Sequence, residues 1–312
     1  MMSGAFPAAN TMRFKKKLET GQFVITAEIT PPVSCARDDL VRIARPLKRL
    51  ADAVNITDGA GARAHMAAVP AASILIDEGI EPVLQLVCRD RNRIALQSDL
   101  MAAAMFDIRN ILVLRGDDLS KSDQAEAKPV FDLDPVGLLQ TARGLRDRKE
   151  LPNGRKVAGS ANFFLGAADL PIDPPADWKP GALIAKIAAG ARFVQTQFCM
   201  DADILRNYMG RLVQSGITEQ LFFLIGIAPL KSARSARWMR ERLYGTIIPE
   251  HLIERMERSA NPELEGHHIA LELIQEYSTI AGVSGVHIMA PNNERAIPEL
   301  ISAAWCVVPT SR

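Results

Sequence analysis

Eight short apolar runs, each about the length of a β-strand, recur along this chain, and stretches with helical spacing lie between them. The runs are FVITAEI (23–29), DAVNITD (52–58), EPVLQLVC (81–88), NILVLRG (110–116), KVAGSAN (156–162), RFVQTQF (192–198), LFFLIGI (221–227) and GVHIMAP (285–291). A run such as Ile111 to Leu114, stopped by Arg115 and Gly116, reads as a strand covered on both faces. Among the intervening stretches, DDLVRIARPLKRLA places Leu40, Ile43, Leu47 and Leu50 on one helical stripe. HMAAVPAASILIDEG, NRIALQSDLMAAAMF, DPVGLLQTARGLRDR and PGALIAKIAAGA follow the same spacing. Asp134-Pro135 and Lys179-Pro180 put proline at a first helical position, and Gly79 and Gly190 stand where helices should end. This alternation, with no break in composition, predicts a single (β/α)8 barrel. The long stretch 231–282 predicts extra helices between strands seven and eight, with IIPEHLIERMERSANPELEG as an excursion over one end. The rival is an open doubly wound sheet. It would carry a glycine-rich nucleotide fingerprint after an early strand, and none is present.

Residues 1–19 are expected to form a flexible N-terminal segment and first helix, and 20–312 the barrel. The chain ends soon after the last barrel helix, so a separate C-terminal regulatory domain is not expected. Hydrophobic residues at 48% and charged residues at 23% fit a globular protein with a sizeable core. A net charge of +1 gives no reason to expect nucleic acid or an anionic membrane as partner. The cluster Lys15, Lys16, Lys17 reads as a solvated helix face. Cys35, Cys88, Cys199 and Cys306 lie far apart, which argues against a disulfide framework and fits a reducing, cytoplasmic setting. There is no apolar stretch long enough to span a bilayer and no signal-peptide pattern. A small-molecule substrate is the expected partner, and assembly into a homo-oligomer is left open.

In a barrel of this kind, polar residues at the carboxyl ends of strands face the active site. The candidates are Glu28, Asp58, Gln85, Asp117, Asn162, Gln197 and the segment from His287 to Asn292. Glu28 lies among apolar and β-branched neighbours just before Pro31-Pro32. A carboxylate there is partly desolvated, which favours its protonated form and suits a general acid. On spacing alone the plainer reading is a structural glutamate paired with a buried arginine or lysine. Asp117 could serve the site, cap a loop or pair with Arg115, and Gly116 lets the chain turn tightly there. Asp58, ahead of Gly59 and Gly61, suits either a ligand-facing loop or a plain turn. Gln197 could line a pocket or satisfy buried backbone. Lys186, in an otherwise apolar helix, reads first as a snorkelling lysine, and Met239 beside Trp238 first as core. His65, His267 and His268 lack partners at metal-ligand spacing, so no metal site is expected.

Read in order, AEITPP, ITDGAGA, LRGD, KIAAGARFVQTQFCMD and GVHIMAPN resemble the motifs of methylenetetrahydrofolate reductases, over about residues 20–305. The resemblance implies a barrel that holds FAD at its carboxyl mouth. It implies reduction of methylenetetrahydrofolate to methyltetrahydrofolate with NADH or NADPH, in one-carbon metabolism. It casts Glu28 as the general acid that opens the imidazolidine ring and Asp117 as the anion near flavin and pterin. Gln197 matches a pterin-binding position. Thr57, Asp58, Gln85, Asn162 and Lys186 fall at or near flavin positions, and Met239 at the aromatic that gates the stacking site. The chain departs from the family pattern at Asp58, where an aromatic is usual, at Gln85, where a histidine is usual, at GSANFFLGA after strand five, and at Met239. It therefore reads as a divergent member. Two further readings stay open: a flavin-independent reductase with direct hydride transfer, and a non-catalytic folate- or flavin-binding subunit of a methyl-transfer complex.

Overall fold

Eight parallel strands close on themselves, each hydrogen-bonded to the next and the last to the first. They are β1 (Val24–Ile29), β2 (Ala53–Ile56), β3 (Pro82–Val87), β4 (Asn110–Leu114), β5 (Phe164–Asp169), β6 (Phe193–Phe198), β7 (Phe222–Ile227) and β8 (Val283–Ile288). The computed structural model describes residues 13–124 and 126–308. Its helices are α1 (Arg13–Glu19), α2 (Arg37–Ala44), α3 (Ala68–Asp77), α4 (Arg93–Met105), α5 (Pro135–Arg148), α6 (Gly181–Ala189), α7 (Ala202–Gln214), α8 (Ala233–Arg242), α9 (Glu250–Arg258), α10 (Pro262–Tyr277) and α11 (Ile297–Ala304). The fold is the expected (β/α)8 barrel, and α8, α9 and α10 are the extra helical material between β7 and β8. Among the described residues no helix is long and apolar enough to cross a membrane.

Alternation along each strand separates two cores. Outward residues such as Ile25, Ala27, Ile29, Val54 and Ile56 join the large core beneath the helices. Inward residues Val24, Ala53, Val83, Leu112, Phe164, Phe193 and Leu224 form a second, smaller core that floors the barrel. Phe164 and Phe193 stack at 5.0 Å, and Phe14 of α1 meets both edge-on. Gly166 makes this floor feasible, because a Cβ there would overlap the Phe193 ring.

Some expectations change here. Strand five is FLGAAD, not KVAGSAN: 156–162 is a connection, and the glycine needed beside Phe193, followed by two alanines, hides the true strand's periodicity. The first helix is anchored, with Phe14 and Leu18 buried as the plug of the barrel floor. Nor is Lys17 simply solvated. Its Nζ lies 2.6 Å from the buried Asp52 carboxylate, which also accepts the Ile25 N–H, and 4.8 Å from the Trp305 ring centre. The first ten or so residues, expected to be loose, lie outside the described residues, which begin at Arg13. Asp134 caps α5 with Pro135 in its first turn, as the sequence implied. Pro180 stands just ahead of α6 rather than inside it.

Candidate active site

Above the phenylalanine floor the inward positions turn polar. Thr26 and Glu28 of β1, Asn55 of β2, Gln85 of β3 and Gln195 of β6 alternate in step with the floor residues of their own strands, and His287 of β8 lies between Val286 and Ile288 of the outer core. All but Glu28 are buried. Glu28, toward the carboxyl end of β1, is partly exposed. Its Oε2 accepts a hydrogen bond from Gln85 Nε2 at 2.7 Å and lies 3.6 Å from His287 Nε2. The ring's other nitrogen, Nδ1, stands 2.9 Å from Thr26 Oγ1 and 3.3 Å from Gln195 Nε2. Glu28 is thus a carboxyl group held on one oxygen by an amide and facing an imidazole, at the mouth of the barrel.

The loops after β2, β3 and β4 are tied together at the same mouth. Arg89, only 2% exposed, donates to the Gly59 carbonyl at 3.0 Å, the Asp117 carbonyl at 3.3 Å and both Asp90 oxygens. A Cβ at Gly59 or Gly116, both with positive φ, would come within 2.7 or 2.8 Å of Arg89. Asp117 is exposed, and its Oδ2 accepts the Gly61 N–H at 2.8 Å. Arg115 stacks on Phe131 instead of pairing with Asp117. Asp58 is held by Arg91, which also pairs with Asp99 at 2.8 Å, and by the Val87 N–H at 2.9 Å. Burial pushes the Asp58 carboxyl above the usual carboxylate range, with Arg91 and the Val87 N–H pulling it back.

On the far side of the mouth, the half-buried Gln197 is spent on its own chain. Its Nε2 donates to the Tyr244 carbonyl at 3.1 Å and its Oε1 accepts the Phe198 N–H. Lys186 donates to the Ala168 carbonyl at 2.7 Å and to Asp169 at 3.0 Å. Asp169 also accepts the buried Tyr208 hydroxyl, and burial together with that carboxylate pushes the phenol far up. Two of the sequence candidates do not join the site. Asn162 precedes β5 and so lies at the opposite, amino end of the barrel, a consequence of the misplaced strand. Met239 is 5% exposed in the core under α8 and offers a ligand no surface.

Sequence reasoning passed over Thr26, Asn55, Gln195, Arg89, Arg91 and Asp169, and noted His287 only within a segment. Strand parity was the usable signal: Thr26 precedes Glu28 by two residues and Gln195 precedes Gln197 by two, on the same faces. Nothing in sequence marks Arg89 as buried.

Of the positions that the resemblance gives to FAD, two have hydrogen-bonding capacity to spare. Thr57 Oγ1 is buried just past β2 with no hydrogen-bond partner among the described residues, and Lys186 has used two of its three donors. These two fit a bound flavin. Gln85 and Asp58 are committed to Glu28 and Arg91. Among the described residues there is no cluster of three or more His, Cys, Asp or Glu side chains able to hold a metal ion.

A closed parallel barrel with a carboxyl acid and tethered acidic loops at one mouth is the class that the fold and site define. The chain belongs to the methylenetetrahydrofolate reductase family, whose sequence model matches residues 13–304. It is 24% identical over 260 residues to methylenetetrahydrofolate reductase 1 of Schizosaccharomyces pombe, covering 80% of this chain and 40% of that protein. It is 27% identical over 263 residues to methylenetetrahydrofolate reductase 2 of Saccharomyces cerevisiae, covering 81% and 41%. The chain thus spans about two fifths of the length of these curated relatives. Among solved structures, a Clostridium thermocellum protein that binds two copies of 5-methyl-5,6,7,8-tetrahydrofolic acid superposes with a TM-score of 0.64 at 14% identity, covering 93% of this chain and 97% of that one. A riboflavin lyase solved with modified FMN and riboflavin gives 0.55 at 9% identity, covering 93% of each. At these identities the solved structures speak to the fold.

Proposed function

We propose that this chain reduces the one-carbon bridge of methylenetetrahydrofolate to a methyl group, with NADH or NADPH as the electron source. Membership of the reductase family supports the substrate class. The observation that carries the reading is Glu28: a partly buried carboxyl at the mouth, with Oε2 held by Gln85 and facing His287. Oε2 accepts, so the acid proton belongs on Oε1, which has no hydrogen bond within the described residues and is the oxygen left to meet a ligand.

The chemistry follows from that division. Glu28 protonates the bridging nitrogen as its bond to the methylene carbon breaks, leaving an iminium carbon that accepts a hydride. The proton stays on the nitrogen and the hydride becomes the third hydrogen of the methyl group. Asp117, across the mouth and fixed by the Gly61 N–H and the Arg89 clamp, offers negative charge to the electron-poor carbon. Gln197 has one amide N–H left over for the pterin. A flavin, bound through Thr57 and Lys186, would supply two-electron relay between nicotinamide and folate.

The direct test is nicotinamide oxidation by the purified chain, with and without methylenetetrahydrofolate. Oxidation that ignores the folate would refute the reading. The Asp58–Arg91 pair and the commitment of Gln85 to Glu28 favour a second reading, direct hydride transfer without flavin. The visible spectrum before and after added FAD separates the two: a colourless protein that turns over equally well without flavin selects the second.

A further inference from the structure

Barrel interiors are ordinarily packed with branched apolar side chains. Here the layer above the floor contains an amide pair that none of the preceding chemistry uses. Asn55 Nδ2 donates to Gln195 Oε1 at 2.6 Å, and Gln195 Nε2 donates back to Asn55 Oδ1 at 3.1 Å. Both side chains are buried, and the reciprocal pair links β2 to β6 through the barrel interior. Gln195 Nε2 has one hydrogen beyond that pair, and it faces Thr26 Oγ1 at 3.0 Å and His287 Nδ1 at 3.3 Å.

We propose that the Asn55–Gln195 pair selects the tautomer of His287 and thereby decides which oxygen of Glu28 carries the acid proton. Nδ1 of His287 faces the spare hydrogen of the Gln195 amide at 3.3 Å, which is shared with Thr26 Oγ1 at 3.0 Å. It also faces the Thr26 hydroxyl, whose own hydrogen can go to Nδ1 at 2.9 Å or to the Val286 carbonyl at 3.4 Å, the shorter contact favouring Nδ1. A nitrogen so placed is the bare one, which leaves the ring hydrogen on Nε2. Nε2–H then faces Glu28 Oε2 across 3.6 Å, longer than a direct hydrogen bond, beside the Gln85 amide that already donates there. The Gln85 hydrogen bond and the positive end of the Nε2–H dipole on the same side keep the carboxyl proton on Oε1. Turning the pair over would present the Gln195 carbonyl oxygen to Nδ1 and move the ring hydrogen there. Bare Nε2 would then draw the proton to Oε2, away from the ligand side. Asn55, Gln195 and Thr26 are positioning residues, acting on the reacting atoms only through His287 and Glu28.

This inference deepens the reading of Glu28 as the acid, yet its first test is independent of turnover. The protein is labelled with ¹⁵N-histidine, the His287 signals are assigned with His287→Gln, and the imidazole nitrogen shifts report which nitrogen carries hydrogen. Wild type is expected in the Nε2–H form. Asn55→Val combined with Gln195→Leu removes both buried partners together, which is tolerated far better than orphaning one. In that variant the tautomers are expected to mix, and kcat to fall about tenfold or more while KM for the folate holds. An Nδ1–H signal in wild type overturns the proposal, whether or not the variant folds. So does a folded double variant with an unchanged tautomer and unchanged kcat. Wild type in the Nε2–H form but inert toward methylenetetrahydrofolate would sustain the tautomer assignment while sinking the proposed reaction.

Discussion

Glu28 has two oxygens with different work. Oε2 is engaged by Gln85 and faces His287, so an amide in place of the acid would preserve the shape and the hydrogen bond while removing the transferable proton. Glu28→Gln is expected to lower kcat by about a hundredfold or more, the range of general acid catalysis, with methyltetrahydrofolate binding retained. Stopped-flow kinetics beside a binding titration checks both halves, and undiminished turnover would remove Glu28 from the acid role. Asp58 gives a pH signature. Its folded carboxyl is raised by burial, so its contribution to stability is full below the ordinary carboxylate range and is lost as pH rises through the raised value. Asp58→Asn has no such titration. The melting temperature of wild type relative to that variant should therefore fall across the interval that opens above about pH 4, the ordinary aspartate value. A difference that stays flat across that interval would mean the carboxyl is not raised. Residue identity at both positions was readable in the sequence, but the partners were not, since His287 reaches Glu28 only by closure of β8 on β1 and Arg91 reaches Asp58 only by the pairing of β2 with β3.

At the scale of elements, α1 is the informative case. Seven residues make a poor helix alone, and its stability comes from Phe14 entering the floor beside Phe164 and Phe193. Phe14→Ala should cost about 3–5 kcal/mol, measurable as a lower urea midpoint with an unchanged slope. A loss under 1 kcal/mol, about the cost of a surface substitution, would show that the floor closes without it. The alternation of strands and helices was legible because periods of two and 3.6 are local properties of the chain. Strand five was not. Its Gly166 is there to admit the Phe193 ring, and that requirement comes from the next strand, more than twenty residues on. The same error displaced Asn162 from the mouth to the opposite end.

For the whole molecule, burial sorts the four cysteines. Cys35 and Cys306 are exposed, while burial pushes the thiols of Cys88 and Cys199 up to about 12, leaving almost no thiolate near neutrality. A thiol reagent at pH 8 should label two cysteines in the native protein and four in denaturant. Fast native labelling of Cys88 or Cys199 would contradict the packing around β3 and β6. What the sequence determined alone is the architecture and the shortlist of chemistry: the repeating strand–helix pattern, and acids at strand ends that a barrel must bring to one mouth. Only the tertiary structure decided the partnerships. Glu28 with His287, Asn55 with Gln195, and Arg89 with Gly59 and Asp117 belong to different strands and loops, joined by closure and register. The physical reason is that strand periodicity assigns a side chain to a face, whereas the inward neighbour it meets depends on the stagger of eight strands around a closed ring.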